Sequence, residues 1–420
     1  MTSSIDRADL VERIGALAAK ASDPPDLARY NPGSAHYESV RSQQFVGLSA
    51  GEIEGLSRDL ADYFSIDIDA DLNIRLSPND GEGMNPRYMG QRVIARARAA
   101  GAERALHAFE QLFTVNRRHL QGVMAVWGLH PVNAFEIWNG IWLGPLSLVS
   151  PTQPRDILLG IPTLAGDPYE TPGFQVNARP KAALTWQYTV DPVISFGTFP
   201  PLPSDGSEVE AVDVVRCLTL VSSRQVSHIA TWYQTDHLAD ALPAVAGWGG
   251  QLITWAHQFE VEPEEIDETL AKLVVHGFFA MHERDQRRIR VVLDRLNAAR
   301  IESASPESRA IDLGIAIEAL LFNPKDPAGE INYKFKARGS VLASSNPEER
   351  RNVAKLLDRI YNLRSIAAHG GSFDEGDGSV RATLVAGIEL AGSLIVRVIK
   401  IGKIPESWNG LILGWERIDV

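Results

Sequence analysis

The stretch Arg364 to Gly370, R-S-I-A-A-H-G, puts a guanidinium and an imidazole five positions apart. Those two groups suit phosphodiester cleavage: Arg stabilises charge building on phosphorus, and His moves the proton. On an ideal helix five residues turn through about 140°, so the pair would not share a face. The Gly370-Gly371 pair that follows is a common helix stop, so His369 falls in a final turn where the backbone can leave the helix. A helix C-terminus also favours protonated His and keeps its pKa near working pH. Arg and His at this spacing recur by chance, so the value of the motif rests on where it sits.

The elements that must position it are helices. From about Glu262 the pattern is helix after helix: 263–275, 280–300, 305–322, 330–343, 346–369 and 380–400. Ser305 caps the third with Pro306 first, and Asn346 caps the fifth with Pro347 first and Glu349 at the third position. Short connections favour antiparallel neighbours, which predicts an up-and-down bundle. At 100° per residue, Ile311, Ile315 and Phe322 share one stripe and Glu318 falls inside it. Arg338 falls likewise among Ile331, Phe335 and Leu342, and Arg364 among Val353, Leu357, Ile360 and Ala367. An unpaired buried charge is expensive, so these three should meet one another or face a shared cleft. They form either a core salt-bridge network that fixes helix register or a site where the surplus guanidinium meets a phosphate.

The rest of the chain reads differently. Ser49 and Glu52 stand at capping-box spacing, which predicts a helix to about Phe64. A second helix spans Met89 to Phe113, with a polar loop around Pro78 to Pro86 between them. From about Gln121 the pattern is strand-like. Asn139-Gly140 between two apolar runs is a strong hairpin signal, and Leu184, Trp186, Tyr188 and Val190 alternate with smaller or polar residues. Asp213 to Val221 reads as a further strand, and Pro-rich loops cover 151–180 and 198–206. Seven of the nine tryptophans lie between 127 and 255, where aromatic clusters are more often core than binding surface. The expected fold class is α+β. A mixed α/β domain covers 1–235, connecting helices 236–279, an all-α helical bundle 280–405 and a tail 406–420.

Composition excludes several classes. Cys217 is the single cysteine among 420 residues, so neither a disulfide framework nor a Cys-based zinc site can be built. His276 and His282, with Glu283 next, lack a third ligand at metal spacing, and no metal or cofactor is expected. Gly247, Gly249 and Gly250 form no phosphate loop, and no G-x-S-x-G elbow occurs. The net charge of −12 argues against broad nucleic-acid binding but not against a local basic site. Arg284, Arg287, Arg288, Arg290, Arg295 and Arg300 face only Asp285 and Asp294 over one predicted helix, which is either a solvated face or a phosphate-tracking one. The first residues lack a signal peptide's basic start, and no run of about 18 uncharged apolar residues follows, so a soluble cytoplasmic protein is expected.

The words I-D-L-G-I-A-I-E-A-L-L-F (311–322), Y-K-F-K-A-R (333–338) and I-Y-N-L-R-S-I-A-A-H-G (360–370) resemble the HEPN superfamily, its Apea-like branch in particular. The resemblance covers about 280–400 and is silent on 1–260. It implies a metal-independent endoribonuclease with Arg364 and His369 as its catalytic pair. On the helical phases above, Glu318 and Arg338 would orient Arg364, with Ser365 beside it, and Arg284, Arg287, Arg288 and Arg295 of the basic helix would contact RNA. Ser365 stands where active members often carry Asn, Asp or His. The resemblance further implies a homodimer through the bundle and a role in toxin–antitoxin, abortive-infection or antiviral systems, with a regulatory or antitoxin partner. The alternative is a catalytically inactive HEPN module that binds RNA, a nucleotide or a partner protein.

Overall fold

The computed structural model describes residues 5–22, 46–70, 72–75, 81–115, 117–150, 155, 158–159, 179–192, 194–196, 206–234, 264–302, 304–323, 326, 329–373 and 378–416. The chain divides into two units: 1–125, 144–208 and 229–254 form the first, and 126–143, 209–228 and 255–420 the second. Most of the Pro-rich loops, the 247–250 glycines and all of 236–263 fall outside the described residues.

In the first unit, α1 (Arg7–Lys20) packs against α2 (Ala50–Tyr63), α3 (Met89–Ala100) and α4 (Ala102–Val115). The capping box at α2 is made in full: Glu52 N donates to Ser49 Oγ at 3.2 Å and Ser49 N to Glu52 Oε2 at 2.8 Å. The single helix expected over 89–113 is two. Gly101, at φ +89°, takes a conformation costly for any side chain and ends the first. The loop expected near 78–86 holds a strand: β1 (Leu72–Arg75) pairs antiparallel with β2 (Gly81–Met84). β3 (Arg118–Trp127) starts in this unit and runs into the second. Trp186 and Trp232 are buried here, as the core reading of the tryptophans requires.

The second unit combines a hairpin with the C-terminal helices. The hairpin, β4 (Phe135–Trp138) and β5 (Ile141–Pro145), turns at Asn139 and Gly140, with φ of 38° and 78°. Residues 213–221 are not a strand. α5 (Ser207–Leu218) buries Ala211, Val214, Val215 and Leu218, a helical spacing that β-branched side chains hid. Helices α6 (Glu268–Ala280), α7 (Glu283–Ala299), α8 (Pro306–Leu321), α9 (Ile331–Ala343), α10 (Pro347–Ala368) and α11 (Gly378–Ile401) follow. This division differs from the sequential one because α5 and its 3₁₀ extension belong with α7. Asp213 accepts from Arg290, and the Thr219 carbonyl from Arg300. Residues 406–416 are likewise part of the unit: Trp408, on the short helix α12 (Trp408–Leu413), is buried.

Contacts fix the helix directions. Arg288 reaches the α8 C-terminus, Arg295 pairs with Asp312, and Ala299 O accepts from Arg309, so α7 and α8 are antiparallel. α10 runs antiparallel to both α8 and α9. It places Arg364 beside Glu318, and Leu357 and Tyr361 beside Gly339 and Phe335. α8 and α9 therefore point the same way, and the strict up-and-down alternation expected from loop length is not kept. The deep face of α8 is Ala310, Leu313, Ile317, Leu320 and Leu321; Ile311 and Ile315 sit half-buried on the other side of the helix. Helix α11 is long and apolar enough to cross a membrane by length and composition. Half of its most apolar window is buried, and it packs against α8, α9 and α10.

Candidate active site

The end of α10 is set by its backbone. Gly371 N donates to Ile366 O at 2.9 Å and Gly370 N to Ala367 O at 3.1 Å, with Gly370 at φ +80°. That pattern is a Schellman stop, and it makes His369 the cap residue with φ −94° and ψ 13°. The His369 side chain is exposed. Its backbone N donates to Ser365 O at 3.2 Å; the Ser365 hydroxyl has no hydrogen-bond partner among the described residues.

One helical turn earlier, Arg364 Nη2 donates to Glu318 Oε2 at 3.0 Å. The pair is partly open, with 30% of the Arg364 side chain and 23% of the Glu318 side chain accessible. The rest of the Arg364 guanidinium has no hydrogen-bond partner among the described residues, which leaves donors for a ligand. Burial raises the Glu318 pKa above its ordinary 4.5, against the lowering field of Arg364.

Arg338 does not join this pair, contrary to the expectation that it orients Arg364. Its Nη2 donates to Asp326 Oδ1 at 3.0 Å, and its Nη1 to Asp326 Oδ2 and to Leu321 O. The guanidinium lies 5.3 Å from the Phe322 ring centre and 5.7 Å from that of Trp408. The three charges read from helical phase thus form two separate knots. Asp326 was not singled out in the sequence because it lies in a connection, where helical phase carries no information.

The arginines of α7 also have partners. Arg288 donates to the carbonyls of Ala319, Leu320 and Phe322 and to Asn323 Oδ1, closing the α8 C-terminus. Burial lowers its pKa. Arg300 is buried against the carbonyls of Thr219 and Arg224, and burial brings its pKa down to about 10. Arg290 grips both oxygens of the buried Asp213 carboxylate. Arg295 pairs with Asp312 at 2.8 Å. Arg284 and Arg287 are exposed, the first paired with Glu406 and the second 3.9 Å from Glu283. A phosphate-tracking face on this helix is therefore limited to Arg284, Arg287 and Arg295, since Arg288 points inward to carbonyls. His282 caps α7, its Nδ1 accepting from Arg284 N at 3.2 Å, and His276 packs edge-on to Trp138. No cluster of three or more His, Cys, Asp or Glu side chains able to hold a metal occurs among the described residues.

No protein-family model matches the chain, and neither a curated protein nor a solved structure matches it.

Proposed function

We propose that this chain is a HEPN-type, metal-independent endoribonuclease of the cytoplasm, acting as the effector of a toxin–antitoxin, abortive-infection or antiviral system. The observation that carries the reading is the open state of Arg364: a single bond to Glu318 holds it among the described residues, and its guanidinium is partly accessible, five residues before an exposed His369. In the proposed reaction the RNA 2′-OH attacks the adjacent phosphorus. The 2′-O–P bond forms, the P–O5′ bond breaks, and the products are a 2′,3′-cyclic phosphate and a 5′-OH. His369 takes the 2′-OH proton or delivers one to the leaving oxygen. Arg364 stabilises the charge on the phosphoryl oxygens, and Glu318 holds Arg364 in place.

The 140° between positions 364 and 369 on a helix shapes the proposal. It is met by a homodimer through the helical unit, in which the two motifs of two copies build one site. The same angle favours a second reading, a module that binds RNA, a nucleotide or a partner protein without cleaving. The test is purified protein on total RNA in EDTA, read for cyclic-phosphate ends, with light scattering for the dimer. Cyclic-phosphate ends with wild type that vanish with His369→Ala support the nuclease. Identical RNA profiles, with binding retained by both proteins, replace it with the binding module.

A further inference from the structure

Gly314 and Glu318 follow Glu307 by 7 and 11 residues on α8, which places all three within about 40° of one another around the helix. Each meets the end of α10 or the chain leaving it. Glu307 Oε1 accepts the backbone N–H of Phe373 at 2.6 Å, and that bond lowers the Glu307 pKa. Glu318 holds the guanidinium of Arg364. At Gly314, an added Cβ would overlap Arg364 Cγ and come within 2.9 Å of its Cβ. Elsewhere in the unit, equivalent bare positions receive ordinary core side chains: Leu357 over Gly339, and Leu313 and Ile360 over Gly387. Gly314 instead receives the stem of Arg364, whose guanidinium makes a single hydrogen bond among the described residues. Of the atoms it meets, Arg364 Cβ is fixed to the backbone, and Cγ can move only by a change of the first side-chain torsion.

We propose that Gly314 and Glu307 are positioning residues for Arg364 and His369. The bare Cα of Gly314 sets how far the guanidinium projects, and the Glu307 carboxylate clasps the segment that follows His369. The effect on turnover rests on the ribonuclease reading; the geometry does not.

The test compares the full-length variants Gly314→Ala, Glu307→Ala, Glu307→Gln and Gly387→Ala. Three properties are read: RNA cleavage under single turnover, phenylglyoxal modification of Arg364 by peptide mass spectrometry, and amide exchange across 366–373. Gly314→Ala is expected to lower turnover about 100-fold, the effect of a misplacement near 1 Å. It should also change the modification rate of Arg364. Gly387→Ala, which crowds Leu313 and Ile360, should lower Tm and leave Arg364 reactivity as in wild type. Glu307→Ala should speed exchange at Phe373 about tenfold through loss of a charge-assisted bond. Glu307→Gln, which keeps an acceptor oxygen, should restore both exchange and turnover. If Gly314→Ala does not fold, adding Arg364→Ala removes most of the clash and should recover the fold; failure to recover overturns the notch. Wild-type modification of Arg364 in Gly314→Ala, or identical exchange in the two Glu307 variants, overturns the proposal. If wild type cleaves no RNA, the ribonuclease reading alone falls, and the modification and exchange results still decide the positioning.

Discussion

Arg338 and Arg364 are the same residue type, each on the apolar stripe of its helix and each paired with one carboxylate, yet they are held differently. The Arg338 pair is closed: 7% of the Arg338 side chain and 18% of the Asp326 side chain are accessible. Three hydrogen bonds, to both Asp326 oxygens and a backbone carbonyl, hold the guanidinium between two aromatic rings. The Arg364 pair is joined by one bond and is open on one side. A buried ion pair is costly to break because the survivor is stranded, whereas a half-open one can be solvated. The number of donors engaged and the solvent reaching the pair, not the stripe position on the helix, separate the two arginines.

The sharpest way to break this comparison is to truncate both arginines. Arg338→Ala is expected to cost about 3 kcal/mol in urea unfolding, since Asp326 is left with little solvent and two rings lose their cation. Arg364→Ala should cost about 1 kcal/mol, because Glu318 can reach water or take a proton, yet it should abolish RNA cleavage. Equal stability losses would erase the distinction between the two knots.

Acid titration sharpens the same contrast, because the two carboxylates shift in opposite directions. Arg338 holds Asp326 below its ordinary 3.8, so this pair's stabilisation is present above that value and is lost as pH falls through the folded pKa. Glu318 is raised above 4.5, so the folded state holds its proton more tightly, and stability falls as pH rises from 4.5 through the folded value. Unfolding of the variants across the acid range should show Arg338→Ala flattening the loss at lowest pH. Arg364→Ala, which removes the charge that holds Glu318 down, should steepen the loss on the other side. The smallest stability effect belongs to His369→Ala: an exposed cap residue followed by a Gly-Gly stop should change unfolding by less than about 0.5 kcal/mol while cleavage disappears.

Local signals were legible where they act locally. The capping box at Ser49, the hairpin turn at Asn139-Gly140, the caps at Ser305 and Asn346 and the Gly-Gly stop depend on a few adjacent residues, and each occurs where the sequence places it. The misreadings are of another kind. Residues 213–221 carry β-branched side chains suited to a strand, but Asp213 is drawn into a helix whose buried carboxylate meets Arg290 on α7. Ile311 and Ile315 mark a stripe on α8, but the deepest burial falls about 120–160° away, on Leu313 and Ile317.

By itself the sequence determined the helices of the C-terminal run from α6 to α11, where α10 stops, and that Glu318, Arg338 and Arg364 are charges among apolar residues in helical phase. Helical phase and capping need only neighbours within a turn, so one chain suffices to read them. Only the tertiary structure decided the partners. It gave Arg338 to Asp326 from a loop, turned Arg288 onto the α8 carbonyls, and left Arg364 half-open over Gly314. Those outcomes depend on which helices cross and at what height, and that is set by packing between residues dozens of positions apart.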